Sequence, residues 1–188
     1  EIVRLLGRYD CFGHKGTDEE QYVLHVQCGA RSVISNYEQA YEWLQYALKD
    51  EFLSTYEGKA THQQLESRGL HIYDYLCTEA KQSYKNGFEI ELYSNPLDEV
   101  HPIINTYKFI CINKERFNPI NFGIDYHKDG YDGAVCFHYD GVAKVWRFSL
   151  YNDNGEVDCS QIAKQYGGGG NKGAAGFILD SLDEFNIK

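Results

Sequence analysis

The sequence predicts an α+β protein: a helical N-terminal part with a long connecting helix, then a mixed β-sheet of about five strands with helices packed on it. Three observations lead there. Before residue 87, apolar residues recur at helical spacing behind capping residues; after it, they alternate with polar ones or run in short apolar blocks. The later elements follow in the order β-β-α-β-β-α-β, which one mixed sheet covered by helices accommodates. Finally, 188 residues with 43% hydrophobic and 24% charged content are enough for a sizeable core, as one domain or two small ones. The expected boundary separates a helical region, 1–86, from an α/β domain, 87–188.

Residues 1–9 include Ile2, Val3, Leu5 and Leu6 and read as the end of a helix, after which Asp10 and Gly13 turn the chain. Thr17 with Glu20 has the form of a capping box and opens a helix to about residue 30, with Tyr22, Val23, Val26 and Ala30 on its apolar face. Asn36 with Gln39 repeats the device and opens a helix to about residue 49. Its stripe is Tyr37, Ala40, Tyr41, Leu44, Ala47 and Leu48. Thr61 with Gln64 starts a third helix that stops at Asn86-Gly87. At about 1.5 Å per residue it reaches on the order of 40 Å, the length of an inter-domain strut.

Residues 88–93 alternate apolar and polar as a half-buried strand does, and Pro96 and Pro102 bracket the connection that follows. Residues 107–112 are nearly all apolar and read as a central strand. Asn118-Pro119 starts a helix to about residue 127, with proline at its first position. A turn cluster at 129–133 leads to a hairpin of 134–139 and 144–151 across Asp140-Gly141. Residues 158–166 form a short helix with Asp158 as N-cap and Cys159, Ile162, Ala163 and Tyr166 on one face. Four consecutive glycines, 167–170, and a strand over 176–180 close the unit.

The formal net charge of −10 argues against a broad electrostatic grip on long nucleic acid, though not against a local pocket for a short one. No run of eighteen apolar residues is present, so no membrane-spanning segment is expected. Six scattered cysteines without a Cys-x-x-Cys pair fit reduced thiols in a cytoplasmic protein. Cys11-x-x-His14 followed by His25-x-x-Cys28 offers zinc-ligand residue types. Residues 25 and 28 fall inside a predicted helix among apolar neighbours, however, and packing is the preferred reading.

The chemistry gathers around the glycine run. Gly168, Gly169 and Gly170, followed by Asn171 and Lys172, give a backbone without side chains beside an amide and an amine. Converging N–H groups there suit an anionic phosphate, with Lys172 supplying charge; the competing reading is a glycine-rich helix C-cap. On strand 144–151, Arg147, Ser149 and Tyr151 share one face by period two, and Trp146, Phe148 and Leu150 share the other. The apolar set should face the helices and the polar set a cleft. Arginine suits phosphate and tyrosine suits a base. An ion pair on the surface is the alternative for Arg147.

The segment Lys-Val-Trp-Arg-Phe-Ser-Leu-Tyr at 144–151, then Val-Asp-Cys-Ser-Gln-Ile-Ala-Lys-Gln-Tyr and the glycine run, resembles the C-terminal domain of the DHH phosphoesterases. That family includes RecJ-like exonucleases, oligoribonucleases and cyclic-dinucleotide phosphodiesterases. Asn171 stands where the family usually has histidine, and Tyr151 where many members have arginine. The resemblance implies two-metal phosphoester hydrolysis of short oligonucleotides or nucleotide phosphates, with Mn2+ or Mg2+ as cofactor of the full-length protein. By the same resemblance Asp10, in Gly-Arg-Tyr-Asp-Cys-Phe, matches a metal ligand. The family's Asp-His-His triplet does not occur in this sequence, which contains no methionine and begins at Glu1. The chain is therefore expected to be the substrate-binding, downstream portion of a longer enzyme, inactive and metal-free by itself. A homodimer is compatible with this. The alternative is a non-catalytic nucleotide- or nucleic-acid-binding module.

Overall fold

In the computed structural model, residues 1–11, 13–42, 45, 56–94, 105–115 and 117–185 are described. They fall into two units, Glu1–Cys77 and Thr78–Lys188.

The first unit is helical. Helix α1 (Ile2–Asp10) and α2 (Glu20–Val33) enclose Leu5, Val23 and Val26, while Ile2 and Ala30 meet Leu65 of the long helix α3 (Tyr56–Lys85). Helices α2 and α3 cross almost backbone to backbone. A Cβ built on Gly29 would lie 1.9 Å from the Leu65 carbonyl oxygen, and one on Gly69 only 1.7 Å from that of His25. The crossing therefore requires hydrogen at both positions. Helix α2 starts later than the capping box at Thr17 predicts. The Thr17 hydroxyl donates to the His14 carbonyl at 2.7 Å, and the Glu20 carboxylate accepts from the Gly16 N–H at 2.8 Å. Arg4 and Arg8 both bind Glu19, the residue preceding the helix, and fix the loop in that form. Asn36 caps as expected, its Oδ1 accepting from the Gln39 N–H at 2.9 Å. Residues 43, 44 and 46–49 of the helix expected to residue 49 lie outside the described residues. Helix α3 begins at Tyr56, so Thr61 is interior to it, and it ends at Lys85 beside the anticipated Asn86-Gly87 stop.

In the second unit a mixed sheet of six strands has the order β1-β2-β3-β4-β6-β5. The strands are β1 (Phe88–Ser94), β2 (Asn105–Asn113), β3 (Gly133–Asp140), β4 (Val145–Tyr151), β5 (Gly169–Asn171) and β6 (Ala174–Leu179). Neighbours are antiparallel except β2 and β3, which run parallel. One face is covered along most of its width. Phe109, Val135, Phe148, Leu150 and Phe177 pack there with Ile162 and Ala163 of α4 (Cys159–Gln165) and with Phe185. This is the apolar face that period two assigns to Trp146, Phe148 and Leu150. Among the described residues the other face is covered at its β2–β3 end, where Ile110, Ile112, Ala134 and Cys136 pack with Phe117, Tyr126 and Ala80. Because β2 is buried on both sides, it reads as continuously apolar.

The helix expected from Pro119 to about residue 127 is instead two 3-10 turns, Pro119–Phe122 and Tyr126–Asp129. Gly123 between them adopts φ +69°, a left-handed backbone that terminates the first turn. Asn118 still accepts from the Ile120 N–H, so the start signal is real and only the length differs. The sixth strand comes from the glycine run itself.

Candidate nucleotide-binding groove

Helix α4 begins at Asp158, whose carboxylate accepts from the N–H groups of Ser160 and Gln161. The Ser160 hydroxyl donates to the same oxygen at 2.6 Å, and it is the leading cause holding the Asp158 carboxyl below its ordinary value. The helix ends in a paired cap. The Gly167 N–H bonds to the Lys164 carbonyl at 3.1 Å and the Gly168 N–H to that of Ala163 at 2.9 Å, with Gly167 at φ +75°. The first two glycines of the run thus terminate a helix. Gly168 also presses on β6: a Cβ there would come within 2.1 Å of the Gly176 carbonyl oxygen. From Gly169 the backbone joins the sheet as edge strand β5, with Gly169 opposite Gly176, Gly170 opposite Ala175 and Asn171 opposite Ala174. Lys172, in the turn to β6, is exposed, and its carbonyl accepts from the Cys159 N–H at 2.9 Å. The run expected as a ligand loop is a helix cap continued by a strand; its positive φ favours glycine at 167 and close backbone approach requires it at 168 and 170, whereas nothing lies within 4 Å of a Cβ at 169.

The opening lies next to it. Where no described residue covers the second sheet face, β3, β4 and β6 floor a groove of about 860 Å³. His138, Asp140, Arg147, Ser149 and Ile178 line it, with Gly167, Gly168 and Gly176 at one side and Glu115 at its border. His138, Arg147 and Ile178 stand in one row across three neighbouring strands, since Arg147 is register-paired with His138 on one side and Ile178 on the other. The Arg147 Nε donates to Asp140 Oδ2 at 2.8 Å, while Asp140 Oδ1 accepts from the N–H groups of Val142 and Ala143, both at 3.0 Å. The Ala143 N–H and then the Arg147 guanidinium hold the Asp140 carboxyl down at about 2, so it is ionised at neutral pH.

Of the residues singled out in the sequence, the structure brings Arg147, Ser149 and Gly168 together in this groove. Arg147 makes the ion pair weighed for it and also lines the opening. Gly169, Gly170, Asn171 and Lys172 lie along the adjoining edge strand and its turn and do not line the groove. Tyr151 is not a stacking platform there: its ring packs with the Ile110–Tyr126 cluster, and its carbonyl accepts from the Tyr126 hydroxyl at 3.3 Å. Asp10 is the exposed last residue of α1. Sequence reading missed His138, Asp140 and Ile178. The observed β3–β4 register, with Asp140 opposite Val145 and His138 opposite Arg147, is what brings His138 into the row.

Ring nitrogens and thiols are arranged for packing elsewhere. His14 stacks on Tyr9 and its Nδ1 lies 3.1 Å from the Arg8 carbonyl, while His25 faces Glu66 and Tyr73. Burial pushes the Cys111 and Cys159 thiols up to about 12; Cys11, by contrast, is exposed. Among the described residues no three His, Cys, Asp or Glu side chains converge as metal ligands. A lone carboxylate at Asp10 does not by itself fit a two-metal centre. No helix among the described residues is long and apolar enough to cross a membrane.

This architecture has a counterpart of known activity. The structure of PggH, a pGpG-specific phosphodiesterase from Vibrio cholerae, superposes with a TM-score of 0.54 over 91% of the chain, at 12% identity. The chain shares the fold of a phosphodiesterase. It spans 56% of the length of that structure. An uncharacterized protein from Helicobacter pylori G27 matches over 97% of this chain and 47% of its own at 15% identity, with a TM-score of 0.33, too low to bear on the fold. No protein-family model and no curated protein matches the sequence.

Proposed function

We propose that this chain is the substrate-binding portion of a DHH-type phosphoesterase acting on short oligonucleotides or nucleotide phosphates. The observation that supports this most is the open groove on the second sheet face. It offers a fixed guanidinium, a histidine and a serine on a rigid floor, in a fold shared with PggH. Polar groups held by strands rather than loops present a defined hydrogen-bond pattern to a ligand. The groove replaces the glycine run as the proposed seat of the nucleotide, with Arg147 and Ser149 retained as contacts and His138 added.

In the full-length protein a divalent metal, Mn2+ or Mg2+, would supply water activation and charge stabilisation on the phosphoryl oxygens. Asp10 is proposed as one ligand; the remaining ligands are not among the described residues. Its place at the C-terminal end of α1 is against the helix dipole, a position worth about 0.3–1 kcal/mol in the wrong direction for a carboxylate. A functional role is consistent with that cost.

The test is equilibrium binding of 5′-phosphorylated dinucleotides to this chain, wild type against Arg147→Ala, together with hydrolysis of the same compounds by the native full-length protein with Mn2+. Binding that falls at least tenfold in the variant, with turnover by the native protein, is the expected result. Binding without turnover would favour the non-catalytic module, and absence of binding would end both readings.

A further inference from the structure

The charge and shape of the groove bear on which part of a nucleotide it holds. Among the described residues, two carboxylates, Asp140 and Glu115, and one guanidinium line it. A phosphate placed at Arg147 would lie beside the ionised Asp140, which attracts the guanidinium and repels the phosphate alike. An anion site of this composition works against itself. A neutral group that accepts hydrogen bonds meets no such penalty.

The Arg147 side chain is pre-set for such a group. Its Nε is committed to Asp140 Oδ2, and among the described residues no hydrogen bond occupies its two Nη amines. Those amines form a planar pair of donors whose orientation Asp140 fixes. Ile178, register-paired with Arg147, is 48% exposed, an apolar ledge beside the fork, and His138 offers a second ring-sized surface on the other side. Adjacent strands are about 4.8 Å apart, so the three-residue row spans about 10 Å, the length of a purine with its sugar. A phosphate has no use for an aliphatic neighbour; a flat base does.

We propose that this row reads a guanine base, with the Arg147 Nη amines donating to the paired acceptors O6 and N7, and that the phosphates of the ligand lie outside it. Guanine presents two acceptors side by side on that edge, whereas adenine presents one acceptor and one donor and is refused by a donor pair. The inference rests on the proposed nucleotide-binding function and specifies its ligand. Asp140 is a positioning residue in it, acting through Arg147.

The test is calorimetric titration of the chain with guanosine, 7-deazaguanosine, adenosine and inorganic phosphate, in parallel with a 5′-phosphorylated dinucleotide of guanosine. Guanosine should bind on the order of tenfold tighter than adenosine. 7-Deazaguanosine, lacking the N7 acceptor, should fall between them, and phosphate should not compete. Arg147→Lys, which keeps the charge but not the fork, should erase the guanosine preference. Asp140→Asn keeps an Oδ1 acceptor for Val142 and Ala143 but offers no acceptor to Arg147. It should lose the same preference while gaining affinity for phosphate. Equal binding of all bases, or phosphate displacing guanosine from the wild type, would overturn guanine reading and leave nucleotide binding standing. If the dinucleotide itself fails to bind, both proposals fall.

Discussion

Asp140 and Arg147 are joined at 2.8 Å at the turn end of the β3–β4 hairpin, and the same carboxylate closes the hairpin turn through Val142 and Ala143. One acid thus shapes a loop with one oxygen and aims a guanidinium with the other. The sign of its pH dependence follows. Its carboxyl is held at about 2 against an ordinary 3.8, so its contribution to stability is fully present above the ordinary value and is lost as pH falls through the lower one. The thermal midpoint of wild type should exceed that of Asp140→Ala from neutral pH down to about 4. The gap should narrow as pH falls from there through about 2. A gap that persists unchanged at pH 2 would contradict the ionised pairing.

The glycine run divides sharply in what it tolerates. Gly168→Ala drives a Cβ against the Gly176 carbonyl and the backbone of Phe177. Neither can yield easily, and chemical denaturation should show a loss of about 1–3 kcal/mol. Gly169→Ala meets nothing within 4 Å and should stay within about 0.5 kcal/mol of wild type. Nucleotide affinity should be unchanged in Gly169→Ala, since that residue serves the edge strand. A large affinity loss there would restore the ligand-loop reading.

At the crossing of α2 and α3 the two backbones are in contact at Gly29 and Gly69. Gly69→Ala must separate two backbones that are in contact at the His25 carbonyl. A cost on the order of 3 kcal/mol is expected from such overpacking, read as a shifted denaturation midpoint with helical signal lost early.

Phe148 is 2% exposed and stacks on Phe177 at 4.7 Å and Phe137 at 5.7 Å. Phe148→Ala should cost about 3–5 kcal/mol by transfer and cavity terms together. Its neighbour Ser149 points to the opposite face, so Ser149→Ala should leave stability within about 0.5 kcal/mol and act on ligand affinity alone.

Most of the sheet was legible in the sequence because its signals are local. Alternation in 88–93 and 144–151, the apolar block at 107–112 and the Asp158 cap each specify an element without help from distant residues. The failures have a common physical origin. Thr17 looks like a cap, but Arg4 and Arg8, far from it in sequence, hold Glu19 and move the helix start. Pro119 opens a turn as expected, yet Gly123 and Gly130 stop two short 3-10 pieces where one helix was expected. The glycine run is ambiguous in sequence because glycine allows either ligand approach or strand approach, and its pairing as β5 depends on the position of β6. Arg147 was recognised from its own strand. Its partners His138, Asp140 and Ile178 depend on which strands neighbour β4, and sheet order is not written in any single segment.

The most direct test of the groove is a residue-resolved one: backbone amide NMR of the chain titrated with a 5′-phosphorylated guanosine dinucleotide. The account predicts saturable shifts at His138, Arg147, Ser149, Gly176 and Ile178, with residues 169–172 largely unmoved. Shifts concentrated at Asn171 and Lys172, with Arg147 and Ile178 silent, would contradict it.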